Sequence, residues 1–166
     1  MLGLQSTSFR VPGTNVASIG GMEGEGIVGR IWNSTFARYI VPDLINVNFN
    51  LTGVVGVGRG YNLSINLITR GKNAGFHGLE TTSKRVGLHF DASMNMSAGW
   101  YNGNPRNASL ESLLGRGLDT SADVEAFGAG LWSSLRDNGT PSWLGYDFGM
   151  GPGVGISAGI TNTTIK

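Results

Sequence analysis

A run of alternating residues over positions 44–70 constrains the fold of this chain more than any other feature. From position 47 to position 67 the odd residues are apolar, apart from Gly53 and Arg59, and the even residues are mostly Asn, Ser, Thr and Gly. A period of two is the signature of a β-strand with one apolar and one polar face. Because the run is longer than an ordinary strand of about 3–10 residues, we expect it to fold back on itself.

The position of the expected turn follows from the parity of the pattern. The apolar residues stay on odd numbers throughout, and a three-residue hairpin loop preserves this parity whereas a two-residue loop would reverse it. We therefore predict a loop at residues 58–60, with Gly60 in the left-handed conformation that glycine adopts cheaply. The predicted cross-strand pairs are Val57 with Tyr61, Val55 with Leu63, and Leu51 with Leu67.

Further strands are predicted along the rest of the chain. Residues 85–101 alternate most regularly, with Val86, Leu88, Phe90 and Met94 on even positions, and residues 75–82 form a shorter strand before a turn at 83–84. The alternation over 123–135 is blurred, and residues 145–161 place glycine on six of their nine odd positions. A strand with one bare face lets a sheet curl sharply. The sequence therefore predicts an all-β fold, an antiparallel up-and-down meander of about six to eight strands that closes into a small barrel.

Helices are expected at two places only. Apolar residues recur at four-residue intervals over 27–41 and Pro42 follows, which predicts one N-terminal amphipathic helix. This helix packs on the sheet in one interpretation and lies on a membrane surface in the other. Residues 107–114 are a short helix candidate ending at Gly115. Residues 1–26 form an irregular arm, and residues 27–166 form one domain.

Composition excludes several classes of function. The net charge is +1 without a Lys/Arg cluster, so no nucleic-acid partner is predicted. The chain has no Cys and therefore no disulfide or thiolate metal site. Charged residues make up only 14% of the chain, so the surface is either covered by small polar residues or hidden in a membrane or partner. Neither a signal peptide nor a transmembrane helix is predicted.

The chain offers few residues for chemistry. His89 and Asp91 share one strand face with Ser93, which makes His89 and Asp91 weak catalytic candidates for a hydrolytic function. No third ligand accompanies them, so no metal is predicted. The glycine-rich residues 149–153 lack the Lys-Ser/Thr of a phosphate loop, and no cofactor is predicted.

Aromatic residues near the predicted strand ends form the second group of candidates. They would close the ends of a soluble barrel or lie at the interfaces of a membrane barrel. The strand pattern fits both, because it does not tell which face is inside. The candidate ligand-contacting or membrane-contacting residues are Trp32, Arg59, Tyr61, Trp100, Tyr101, Trp132 and Trp143.

Four segments from Asn62 onward carry a family resemblance: residues 73–77, the alternation over 86–97, residues 110–115, and the glycine run over 145–163 that ends in Thr-Asn-Thr. With these segments the chain resembles the glycine-rich all-β C-terminal domains of bacterial RHS-repeat and other secreted polymorphic-toxin proteins. The resemblance implies a secreted or delivered module near the end of a larger polypeptide, acting as a toxin on a competing cell. It also implies an immunity or scaffold protein as a partner, and it assigns no catalytic residue.

Three functions follow as hypotheses. The first is a non-enzymatic secreted effector or toxin domain whose amphipathic strands engage membrane lipid. The second is a soluble barrel that binds a small apolar ligand or partner protein, with a cavity lined by Val55, Leu63, Phe90 and Met94. The third is a hydrolytic toxin that uses His89 and Asp91. The pattern leaves oligomerisation open.

Overall fold

The computed structural model describes residue 31 and residues 34–166, which form a single four-stranded antiparallel sheet. The strands are β1 (Leu44–Ile68), β2 (Gly75–Tyr101), β3 (Gly115–Leu135) and β4 (Pro141–Ile165). Their order in the sheet is β1-β2-β4-β3, and all neighbours are antiparallel. The predicted all-β antiparallel class is therefore confirmed.

The predicted loop at residues 58–60 is wrong. Strand β1 continues through these residues and pairs with β2 along its whole length, so Val57 faces Val86 and Val55 faces Leu88. Gly60 does not adopt a positive φ, whereas Gly56 does, at 72°. A continuous strand and a three-residue loop both keep the apolar residues on odd positions, so the sequence pattern does not distinguish them. The backbone of β1 pairs with β2, a strand of similar length, and not with a second half of its own run.

Strand β1 nevertheless folds back, through a bend instead of a turn. The amide of Thr69 donates to the carbonyl of Asp43 at 2.9 Å, so the two ends of the strand meet. Halfway along, Gly58 lies so close to the backbone of Gly53 that a Cβ atom would come within 2.1 Å of its carbonyl oxygen. Beyond the bend, the side chain of Asn62 donates a hydrogen bond to that of Asn50. The sheet is thus folded over on itself, and the inner faces of its two halves approach each other.

Strand β3 bends at a β-bulge, which explains its blurred alternation. Glu125 has a φ of 56°, and the register with β4 shifts between Glu125 and Phe127. Between the flanking pairs Glu125–Gly153 and Phe127–Met150, β3 has one residue and β4 has two. This difference of one residue exchanges the two faces of β3, so its inward side chains are odd-numbered before the bulge and even-numbered after it. Buried Asp123 and buried Ser134 mark the two sides of this change.

The number of strands and the barrel closure were predicted incorrectly. Residues 75–82 and 85–101 belong to one strand without a turn at 83–84, and each of the four strands is long and bent. The sheet is not closed into a barrel, since β1 and β3 remain its two edges. The chain also departs from simple meander order, because β4 lies between β2 and β3. Alternation alone cannot separate two short strands from one bent strand.

The predicted N-terminal helix is not supported. Within the described residues only a six-residue helix, α1 (Thr35–Ile40), falls in the range 27–41, and the predicted arm at 1–26 lies outside them. The candidate helix at 107–114 is replaced by a 3-10 helix, Pro105–Asn107, and by three consecutive turns. Each of these turns is closed by a hydrogen bond that a backbone amide donates, from Ser112, Leu113 and Leu114.

A small apolar core sits where the strand ends converge. Its buried members are Leu44, Ile68, Leu79, Ala108, Leu113 and Trp143. Beside it, the fully buried pair Arg70 and Asp43 bond at 2.7 Å, and Asp43 also accepts from the amide of Tyr101 at 3.1 Å. This ion pair ties both ends of β1 to the end of β2.

Candidate functional site: an apolar outer face and a polar interior

The folded sheet has its apolar face outside and its polar face inside, which is the reverse of the usual arrangement in a water-soluble protein. In β2, Val86 and Leu88 are 65% and 62% exposed, whereas His89, which follows Leu88, is only 1% exposed. Phe90 at 52% and Asp91 at 8% repeat the contrast. The predicted separation of apolar and polar side chains onto opposite faces is confirmed, and the polar face is the inner one.

The exposed apolar side chains are distributed unevenly over the sheet. We define the apolar half as residues 44–57, 86–101, 120–135 and 141–158, and the mixed half as residues 58–68, 75–85, 115–119 and 159–165, which join along the paired residues Val57 and Val86. In the apolar half the exposed large apolar side chains are Phe49, Leu51, Val55, Val57, Val86, Leu88, Phe90, Met94, Met96, Val124, Phe127, Leu131, Leu144, Tyr146, Phe148, Met150, Val154 and Ile156. In the mixed half they are Tyr61, Ile65, Phe76, Leu118, Ile160 and Ile165. The apolar half, with 64 of these 98 residues, thus carries 18 of the 24 exposed large apolar side chains.

Glycines of β4 make room for the polar interior. Arg85 of β2 and Asp119 of β3 both pair with Gly159, and His89 and Asp123 both pair with Gly155. Strands β2 and β3 lie about 10 Å apart, because β4 separates them. With no side chain on the intervening glycine, the long side chains of β2 reach across β4 to the carboxylates of β3. The predicted bare face of residues 145–161 therefore points inward and is covered by side chains from its neighbours.

Arg85 is the centre of one such contact. Its guanidinium pairs with Asp119, donates to Ser121 at 2.7 Å, and donates from Nε to Ser157 at 2.8 Å. A buried cation requires this degree of compensation, since removing a charge from water is costly. The interaction fixes β2, β3 and β4 relative to each other.

His89 forms the second contact, with a partner that the sequence did not predict. The Ser157 hydroxyl lies 2.8 Å from Nδ1 of His89, and the Asp123 carboxylate lies 2.5 Å from Nε2. Asp91, the predicted partner, instead accepts from Ser93 at 2.9 Å. Asp123 was missed because it follows His89 by 34 residues, and only the shared register of both residues with Gly155 brings them together.

The Ser157–His89–Asp123 arrangement has the donor order of a hydrolytic triad but no access to substrate. Ser157 is 2% exposed, and its oxygen already accepts a hydrogen bond from Arg85. A nucleophile must be able to reach a carbonyl carbon, which requires an open site beside it. What the arrangement does in this structure is hold three strands together. Within the described residues no cluster of three or more His, Asp or Glu side chains is suited to a metal ion.

Burial changes the ionisation of three interior carboxyl groups. Desolvation raises the pKa of Asp91 above its ordinary value, against the hydrogen bond from Ser93. It raises the pKa of Asp119 despite the attraction of Arg85, and that of Asp147 despite a hydrogen bond from Asn95. Ionisation of each of these carboxyl groups is therefore less favourable in the folded sheet than in water.

An interior cavity is lined mainly by Asn, Ser, Thr and Asp side chains from all four strands. The predicted apolar lining is absent from it, since Val55, Phe90 and Met94 are exposed on the outer face and Leu63 is half-buried. The prediction of an apolar cavity with this lining is wrong. A polar cavity is a poor site for an apolar ligand.

The predicted aromatic contacts divide between the interior and the outer face. Trp143 is fully buried in the apolar core with the ring of Tyr101 edge-on at 5.3 Å, and Trp132 lies against Gly99 and Gly145. Trp100 is half-buried, and its ring centroid lies 5.5 Å from that of Tyr146, with the two rings tilted by 37°. Tyr146 is an exposed residue of the apolar half.

The other predicted contact residues lie elsewhere. Arg59 is exposed and Tyr61 is at the margin of exposure, both in the mixed half. Trp32 lies outside the described residues.

Comparisons with known families, with curated proteins and with solved structures find no match to this chain. Among the residues that the structure describes, no helix has the length and apolar character needed to cross a membrane. Fold and surface together define an antiparallel β-protein with an apolar outer face and a polar, hydrogen-bonded interior.

Proposed function

We propose that this chain is a secreted or delivered bacterial effector of toxin type that acts without catalysis, at membranes, through the apolar outer face of its sheet. The observation that carries the proposal is the inversion of the faces, with large apolar side chains outside and Arg85, His89 and Asp123 inside. Soluble monomeric proteins rarely expose an apolar patch beyond a few hundred Å². Lipid acyl chains are an environment that such a surface favours.

The polar interior supports the same proposal. Many of its polar side chains are paired within the sheet, as Asn48 is with Ser97 at 2.7 Å and Asn95 with Asp147 at 3.0 Å. Three buried polar atoms of the described residues lack a hydrogen-bond partner, namely Asp91 Oδ1, Asp119 Oδ1 and Trp132 Nε1. An open sheet cannot span the acyl-chain layer, because its two edge strands carry unpaired backbone groups. The outer face would therefore contact the membrane from its surface, with the polar groups of the interior paired inside the folded sheet. The interior does not need to open for the outer face to make contact.

Delivery and partners rest on the resemblance to RHS-associated toxin domains. An apolar outer face left uncovered in water promotes aggregation. A producing cell would therefore need an immunity or scaffold protein, or association with further copies, that covers the apolar half until it reaches a membrane.

The test is association with lipid vesicles and release of a trapped dye at micromolar protein. A Leu88→Asp variant places a charge within the apolar half, two residues from its boundary at Val86, and Asn107→Asp places the same charge in an exposed turn as a control. We expect Leu88→Asp to weaken vesicle binding at least about tenfold, which corresponds to about 1.4 kcal/mol, and Asn107→Asp to leave it unchanged. If the unaltered protein neither binds vesicles nor releases dye, the proposal is wrong.

A hydrolytic toxin is the second candidate, favoured only by the Ser157–His89–Asp123 arrangement. Burial of all three residues counts against it. In a growth-inhibition assay, a His89→Ala variant that is as toxic as the parent would exclude this candidate. The polar interior does not support the alternative function of a barrel that binds a small apolar ligand.

A further inference from the structure

The outer face of the mixed half carries three exposed cations in two adjacent rows of the sheet. Arg59 of β1 pairs directly with Lys84 of β2, and the next row runs from Tyr61 through Thr82 and Asn162 to Arg116 of β3. Arg59, Lys84 and Arg116 are all exposed, and no ion pair involves any of them within the described residues. We call these three residues the cationic band.

The cationic band has no stabilising role that the fold explains. Like charges placed directly opposite on neighbouring strands, as Arg59 and Lys84 are, repel each other and destabilise a sheet. The nearest acidic residue on this outer face, Glu80, lies toward Lys166 instead, at 3.7 Å. A cluster of unneutralised cations is relieved by an external anion.

The position of the band beside the apolar half identifies that anion. Residues Val57 and Val86, with which the apolar half begins, are the second residues along their strands from Arg59 and Lys84, about 7 Å away. A lipid bilayer offers the same sequence of environments, with acyl chains followed immediately by charged headgroups. We propose that the cationic band binds the headgroups of anionic phospholipids while the apolar half contacts the acyl chains, an inference that rests on the proposed function.

The size of the effect follows from the electrostatics of membrane surfaces. Each Lys or Arg near an anionic leaflet contributes about a fivefold gain in binding, so a pair contributes about 25-fold. The attraction weakens as salt is added, because it is screened over about 8–10 Å at physiological ionic strength. Contact between acyl chains and the apolar half lacks this salt dependence.

The experiment measures co-flotation of the full chain with two kinds of vesicle, one of phosphatidylcholine and one that also contains phosphatidylserine. The test variant is Arg59→Gln with Lys84→Gln, and the control is Lys72→Gln with Arg106→Gln, which removes the same charge from exposed positions outside the sheet. We expect the test variant to lose about 25-fold in binding to the anionic vesicles and nothing on the neutral ones. The control variant should lose less than twofold on either.

Each outcome has a distinct meaning. Equal binding of the unaltered protein to both vesicles, or an equal loss in the control variant, overturns the inference and leaves the proposed function standing. Binding to neither vesicle overturns the proposed function itself. Far-ultraviolet circular dichroism of both variants checks that the sheet is intact, and Arg59→Lys with Lys84→Arg should retain the binding because it retains both charges.

Discussion

Gly155 is the position at which the folded sheet is most sensitive to a single methyl group. It has a φ of +125°, and a Cβ atom there would lie 1.9 Å from the carbonyl oxygen of Leu88. An alanine would therefore incur backbone strain of about 1–3 kcal/mol and steric displacement of β2 of about 1–3 kcal/mol. We expect Gly155→Ala to lower the free energy of unfolding by about 4 kcal/mol.

The assay is equilibrium unfolding in urea, followed by circular dichroism and by tryptophan fluorescence, to which buried Trp143 contributes. With a slope of about 2 kcal/mol per molar urea, the transition midpoint should fall by about 2 M. Gly53→Ala is the matched control, since a Cβ atom at Gly53 meets nothing within 4 Å and its φ is not positive. That variant should be neutral or slightly more stable, because alanine restricts the unfolded chain. A midpoint for Gly155→Ala within about 0.5 M of the parent would refute the argument that glycine is required here by the positive φ and by the close approach of the β2 backbone.

Two further predictions concern charges inside the fold. Replacing Asp43 by Asn removes the carboxylate that pairs with the fully buried Arg70, so the free energy of unfolding should fall by about 3–5 kcal/mol; a loss under about 1 kcal/mol would show that the pair is dispensable. Because burial raises the pKa of Asp91, Asp119 and Asp147, the folded state binds more protons than the unfolded state at pH values above the ordinary 3.8. Stability should therefore rise as pH is lowered from about 7 to about 5, and a urea midpoint that falls over this range would contradict the assignment.

The division of the chain into an apolar and a polar face could be predicted from the sequence. The alternation over 85–101 placed Val86 and Leu88 opposite His89, and the structure confirms this placement. The pattern could not tell which face is inside, since inverting a sheet leaves its periodicity unchanged. Burial of His89 and exposure of Leu88 settle that question.

The periodicity of the sequence could not predict the course of β1 at residues 58–60 or the interior contacts, for two different reasons. The parity around Arg59 fits both a loop and a continuous bent strand, and only the pairing of Arg59 with Lys84 distinguishes them. The contact of His89 with Asp123 depends on the register of β2 and of β3 against β4, and the bulge at Glu125 exchanges the faces of β3 beyond this contact. A register is set by long-range packing, which a single sequence does not display.

The most direct test of the inverted sheet is a cysteine scan along residues 86–91, made simple by the absence of native cysteine. Each variant is treated with a water-soluble thiol reagent in the absence of lipid, and the rate of labelling is compared with that of the unfolded chain. We predict fast labelling at positions 86, 88 and 90 and strong protection at positions 89 and 91. Position 87 stays glycine, because a Cβ atom there would lie 2.3 Å from the carbonyl oxygen of Ile156. Uniform labelling, or protection of the even positions instead, would contradict an outer face made of apolar side chains.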